Sequence, residues 1–423
     1  MSRPRTARPS DASRSAPTRA LVAAAIVALL GPAIQYAPWP QGWLDAGFMG
    51  WWFPRLTHLT TLSSAVGWSV TAVALAGWAA VLAVCAAWAL LGRSRPEAPL
   101  GRSFSGAIFG RSPSSGHRWW TFWLTLAWPA ALLVVAFPLT FGLAYRTGDL
   151  TAAVAARLDG RATDPWSTDD GESLAERLIA ILMATAPDAP SGEHAADMPA
   201  ALVADAARCV ASTAETVRRE FLPATLAGGT RAGGTPVGGA GRTVPGVLVA
   251  VPSRVKTLPA GTLLRGGYAG IVSPWLLEPH VDGGLPATAG LAVALHELAH
   301  TAGFAREAEA EAIGLLAGIR CDDPAVKYAA ALRLAGSLLT TADPETARAY
   351  VARWPERARQ DSRAADAAAL RYGDPRLQRA ADAVYDAYLR RQGGADGLGE
   401  YANGTALAIA LAMALPTTGF TPP

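Results

Sequence analysis

Three long apolar runs crowd the first third of the chain; beyond them, short amphipathic stretches alternate with polar breaks. The runs cover residues 20–38, 67–91 and 119–143. The second and third are long enough to cross a hydrocarbon core of ~30 Å. The first is shorter and carries Pro32 and Gln35. A basic segment precedes it, as in a cleaved leader, but it passes into Tyr36-Ala37-Pro38-Trp39-Pro40 with no small-residue cleavage site, so it reads as an anchor.

Charge on the flanks sets an orientation. The tail 1–18 and its border hold Arg3, Arg5, Arg8, Arg14 and Arg19 against Asp11. The loop between the second and third runs holds Arg93, Arg95, Arg102, Arg111 and Arg118 against Glu97, whereas the aromatic loop 39–68 offers Arg55 alone. The positive-inside rule puts the tail and second loop in the cytoplasm and residues 146–423 outside a bacterial cell membrane.

From 145 to 223 the pattern is helical, with amphipathic stretches at 172–185 and 196–221. A Gly-rich segment, 227–241, reads as a flexible loop. Candidate strands follow at 244–251 and 263–272, the second bent at Gly266 and Gly267. Helices are expected from Pro286 or Ala287 to Gly303, at 305–320, from Asp322-Asp323-Pro324 onward, and at 344–360 and 378–392. The run 406–415 is too short to span and reads as a packed helix. The expected architecture is mainly α: three transmembrane helices, then a helix-rich, zincin-like α+β domain with a small sheet.

Composition agrees: 51% of residues are hydrophobic and 17% charged, low for a soluble protein. The net charge of +3 resides largely on the cytoplasmic flanks, and no basic stripe points to nucleic acid. Lys256 and Lys327 are the only lysines, a bias that fits a high-GC bacterial genome. Cys85 falls in a span; Cys209 and Cys321 could pair, but two separate buried thiols fit better.

The chemistry lies in His296-Glu297-Leu298-Ala299-His300. Histidines four apart share a helix face and can hold one metal ion, with the intervening glutamate placed to take a proton from water. A non-catalytic reading, a zinc-stabilised scaffold or sensor, would not need Glu297. The third ligand is open. Metzincins place a histidine where this chain has Arg306, and guanidinium cannot coordinate a cation. That leaves Glu307, Glu309 and Glu311. Glu309 is favoured, because it heads the apolar stripe of Ala305, Ala312, Ile313 and Leu316, where a buried carboxylate needs a partner; Glu307 is next. Tyr328, His280 and Arg265 are candidates for stabilising an oxyanion or contacting substrate.

With these residues the chain resembles the bacterial membrane proteins of domain-of-unknown-function family 3810. The resemblance rests on Gly267-Tyr268-Ala269-Gly270-Ile271 through Pro274 and Glu278, on the block from His296 to Glu307 with Glu309-Ala310, and on Lys327-Tyr328. It extends to Phe141-Gly142-Leu143-Ala144-Tyr145-Arg146, Tyr385-Asp386-Ala387-Tyr388-Leu389 and Gly397-Leu398-Gly399-Glu400-Tyr401. It implies a membrane-anchored, zincin-like metallopeptidase; the chemistry of the site itself points to a peptide or protein substrate. It also favours Glu309, which matches the glutamate of the family's Asp-Glu-Ala-Asn stretch, although Ala308 and Glu311 depart from that stretch. His280 stands where the family tends to have a small polar residue, and the Gly-rich loop looks inserted.

Overall fold

The computed structural model of the chain describes residues 11–91, 115–159, 164–166, 173–222, 249–393 and 397–415. Outside these lie most of the basic tail, most of the second loop, the Gly-rich segment 227–241 and residues 244–248 of the first expected strand. The chain divides into two compact units, Met1–Ala37 with Val70–Leu139, and Pro38–Ser69 with Thr140–Pro423.

The first unit holds α1 (Asp11–Tyr36), α3 (Val70–Leu91) and most of α4 (Ser115–Thr140), while α2 (Phe53–Thr60) belongs to the second. Pro17–Tyr36, Val70–Leu91 and Trp119–Thr140 are each long and apolar enough to cross a membrane. A Cβ on Gly31 would stand 2.3 Å from the Val134 carbonyl oxygen, so only glycine lets α1 and α4 approach this closely. Indole Nε1 of Trp78 donates to the Thr125 carbonyl at 3.1 Å and ties α3 to α4.

The second unit is helical around a small sheet. The segment 38–69, an apparent loop in the sequence, forms a π-helix (Trp43–Trp52), α2 and a 3-10 turn (Thr61–Ala65). Then follow α5 (Leu150–Leu158), α6 (Leu174–Thr185), α7 (Ala200–Phe221), α8 (Ala287–Thr301), α9 (Glu307–Ile319), α10 (Pro324–Leu338), α11 (Pro344–Ala352), α12 (Glu356–Tyr372), α13 (Pro375–Arg391) and α14 (Glu400–Ala414). Three of these open on Asp-Pro: the carboxylates of Asp323, Asp343 and Asp374 accept first-turn backbone N–H bonds, and proline follows at the first helical position. The single helix expected over 344–360 is two, because Pro355 has no N–H to continue the ladder past Trp354.

The sheet has order β1-β3-β2, from β1 (Lys256–Leu258), β2 (Gly270–Ser273) and β3 (Glu278–Asp282). β3 pairs parallel to β1 and antiparallel to β2, which leaves β2 on an edge. The strand expected at 263–272 is a 3-10 turn (Leu264–Gly266) followed by β2, and residues 249–251 lie in no strand. Asp282 organises the approach: its carboxylate accepts from the backbone N–H groups of Gly261, Leu263, Leu264 and Gly284.

Against expectation, Cys209 and Cys321 are joined, with Cα atoms 5.5 Å apart across 112 residues of sequence. The bond links α7 to the chain two residues beyond α9.

Candidate metal centre

α8 is apolar nearly all round, as a helix in the centre of a core must be, and of its residues only Ala289 is not buried. His296, Glu297 and His300 are therefore polar groups deep in the unit, each under 10% exposed. Such groups need partners. They find them because α8 stops and the chain folds straight back. Gly303, at φ +95°, takes the left-handed position after the helix end, and Phe304 N–H returns to the Ala299 carbonyl. α9 then runs against α8 at close quarters. A Cβ on Gly314 would stand 2.9 Å from the Leu295 carbonyl carbon, and one on Gly318 would be 2.7 Å from a Leu295 methyl.

This approach presents Glu307 and Glu311, one helical turn apart, to His296. Nε2 of His296 lies 3.2 Å from Oε2 of Glu307, and Nε2 of His300 lies 3.4 Å from the same oxygen. Nδ1 of His296 donates to Oε2 of Glu311 at 2.9 Å, and Nδ1 of His300 donates to the Phe304 carbonyl at 2.8 Å. With both Nδ1 atoms engaged, both Nε2 atoms face the Glu307 carboxylate. Glu311 is itself held by Arg333, whose Nε donates at 2.7 Å and whose Nη2 donates at 3.1 Å. Tyr385 of α13 donates its hydroxyl to Oε1 of Glu307.

The three groups His296, His300 and Glu307 bring ligand atoms within 4.8 Å of one another, all buried, and can hold a metal ion. The outer bonds to Glu311, Phe304 and Tyr385 fix ring and carboxylate orientation, as such bonds do around metals. The charges in this group depend on one another. Burial disfavours a charged His296, yet hydrogen bonds to Glu307 and Glu311 outweigh it and hold its pKa at about 10. Burial likewise opposes ionisation of Glu307, and the two facing histidines overcome it, keeping that carboxyl well below its usual range. The carboxylate thus invites positive charge between the rings.

Glu309, the ligand favoured from sequence, does not lie in this group. Its Oε1 accepts from the backbone N–H of Leu150 and from Arg306, both at 3.1 Å, on the other side of α9. Every residue of α9 is buried, so its apolar side is not the only inward one.

Glu297 is 5% exposed, and burial pushes its carboxyl up against the opposing pull of His296, His300 and His280. Edge strand β2 lies on it: a Cβ on Gly270 would be 2.4 Å from Glu297 Oε1. His280, on β3, is buried with Nε2 2.8 Å from Ser69 Oγ and 3.4 Å from Glu278 Oε2, while its Nδ1 faces the Ile271 carbonyl at 3.3 Å. It is thus on the Glu297 side of the sheet but occupied.

The other two expected contacts are elsewhere. Tyr328 is a core residue whose hydroxyl donates to Asp361 at 2.8 Å, inside a cluster completed by Arg357. Arg265 is exposed on the 3-10 turn before β2. Sequence reasoning gave Tyr385 no role at the metal, although the Tyr385-Asp386-Ala387-Tyr388 motif was its signal. Around it stand Tyr268, edge-on at 5.3 Å, and Tyr388, stacked at 5.8 Å.

The whole arrangement, from α2 to α14, falls within one recognisable family. The chain belongs to the family described as protein of unknown function (DUF3810), whose model matches residues 53–409. No curated protein and no solved structure matches it significantly.

Proposed function

We propose that this chain is a membrane-anchored zinc metallopeptidase whose ion is held by His296, His300 and Glu307. The observation that carries the reading is the convergence of those three buried ligand atoms next to a fourth polar group, Glu297, that none of them needs for support. A site meant only to hold the fold together has no use for that carboxylate. The donor set of two imidazoles and one carboxylate fits a catalytic zinc site. When bound, zinc would supply Lewis acidity and make water a stronger acid.

The protein's own part is then defined. Glu297 is the general base: it takes a proton from the attacking water and delivers it to the leaving nitrogen. Its raised pKa, caused by burial, suits a group that must both accept and return a proton. Glu311 with Arg333, the Phe304 carbonyl and Tyr385 hold the ligands in register. β2 offers an edge against which an extended peptide could pair, directly over Glu297.

The same reading places the second unit outside the cytoplasm. The arginine-rich flanks of the spans support this, and so does the Cys209–Cys321 bond, since such bonds persist in oxidising compartments.

The test is hydrolysis of a mixed peptide library by the full-length, detergent-solubilised chain. Chelation should abolish cleavage and zinc should restore it, and Glu297→Gln should be inactive while keeping its metal. Turnover that survives chelation, or that persists in Glu297→Gln, would overturn the proposal.

A further inference from the structure

The segment 38–69 carries an apolar face that the metal centre does not use. Its inner residues, among them Phe48, Met49, Phe53, Thr57 and Thr60, are buried. Its outer residues are not: Trp51 is 56% exposed, Leu59 65% and Leu62 71%, with Trp43, Trp52 and Trp68 also open. Residues 51, 55, 59 and 62 recur at helical spacing, so Trp51, Arg55, Leu59 and Leu62 share one side. Asp45 and Arg55 are the only charged residues of the segment. Asp45 is buried, and Arg55 folds its guanidinium over the Trp51 ring at 4.3 Å.

A contiguous apolar face of this kind is unusual in water. Both ends of the segment are covalently continuous with apolar helices of membrane-spanning length, since Tyr36 closes α1 and Val70 opens α3. The chain between two spans cannot leave the bilayer surface by more than its own length. Tryptophans beside leucines, with one arginine among them, are the composition of a helix lying in the headgroup region.

We infer that the outer face of 38–69 is a membrane-interface surface, with Trp51, Leu59 and Leu62 inserted at the boundary between headgroups and acyl chains. The inner face of the same segment abuts the metal helix: a Cβ on Gly303, three residues past His300, would meet Met49 Cε at 2.6 Å and Phe53 Cε1 at 2.9 Å. The end of α8 is thus separated from the outer face by this one segment. For a peptidase, that geometry favours substrates presented at the membrane surface, a corollary that rests on the function proposed above.

The surface itself is tested by nitroxide labelling of full-length Leu59→Cys and Leu62→Cys, each in a Cys85→Ser background, in phosphatidylglycerol-containing nanodiscs. Leu370→Cys, on α12 and 84% exposed, serves as the aqueous control. At 59 and 62, collisions with oxygen should exceed those with a water-soluble nickel chelate, and at 370 the order should reverse. Labels at 59 and 62 that match 370 would overturn the inference. So would labels shielded from both agents, which would mean that protein, such as a second copy of the chain, covers the face. The readout is depth, so loss of peptidase activity would not affect it.

Discussion

Gly270 of the edge strand presses directly on the carboxylate of Glu297, with 2.4 Å between the position of a Cβ and Oε1. No side chain fits there. Gly270→Ala must push Glu297 or the strand aside, and if Glu297 is the base proposed above, a displacement of about 1 Å can cost ~10²-fold in rate. We expect peptide hydrolysis to fall by about that factor with metal content unchanged. Full activity in Gly270→Ala would remove Glu297 from the reaction.

The bond from Glu311 to His296, steadied by Arg333, predicts a graded effect on metal affinity. Loss of an outer-shell partner typically costs about 10- to 100-fold in affinity. Glu311→Ala and Arg333→Ala should therefore release metal to a competing chelator at concentrations lower by about that factor. Affinities equal to wild type would show that His296 needs no orienting partner.

Tyr385 and Tyr328 should separate cleanly. Tyr385→Phe removes the hydroxyl that bonds Glu307 and should weaken metal binding. Tyr328→Phe removes a bond to Asp361 and should lower stability by about 1 kcal/mol without changing affinity or turnover. A turnover defect in Tyr328→Phe, at unchanged thermal stability, would restore the role its sequence position suggested.

Much of this was legible in the sequence, and the failures have physical causes. The three long apolar helices declare themselves, because their length and composition are those a bilayer demands. α8 and α10 were also readable, since periodicity and the Asp323-Pro324 cap are local properties. β3 was not: Glu278-Pro279-His280-Val281-Asp282 is short and carries a proline and three polar residues, and those polar residues are buried and bonded rather than facing water. The choice among Glu307, Glu309 and Glu311 was not legible, because helix-face reasoning assumes one wet side and α9 has none. The Cys209–Cys321 pairing depends on α7 and α9 lying side by side, which no spacing between positions 112 apart can reveal.

That disulfide makes its own prediction. Closing a loop of this length should stabilise the fold by about 4–5 kcal/mol through the unfolded state. Cys209→Ser with Cys321→Ser should lower the melting temperature accordingly while leaving the metal ligands in place. Unchanged melting in the double variant would mean that the packing of α7 on α9 alone suffices.

The most direct test of the central claim is metal content of the full-length chain and three variants, Glu297→Gln, Glu307→Ala and Glu309→Ala, each checked for folding. The account predicts one equivalent of zinc in wild type, in Glu297→Gln and in Glu309→Ala, and loss of zinc in Glu307→Ala. Glu309→Ala should instead be less stable by about 1–3 kcal/mol, because the buried Leu150 N–H loses its acceptor. Zinc retained in a folded Glu307→Ala and lost from a folded Glu309→Ala would contradict the site described here.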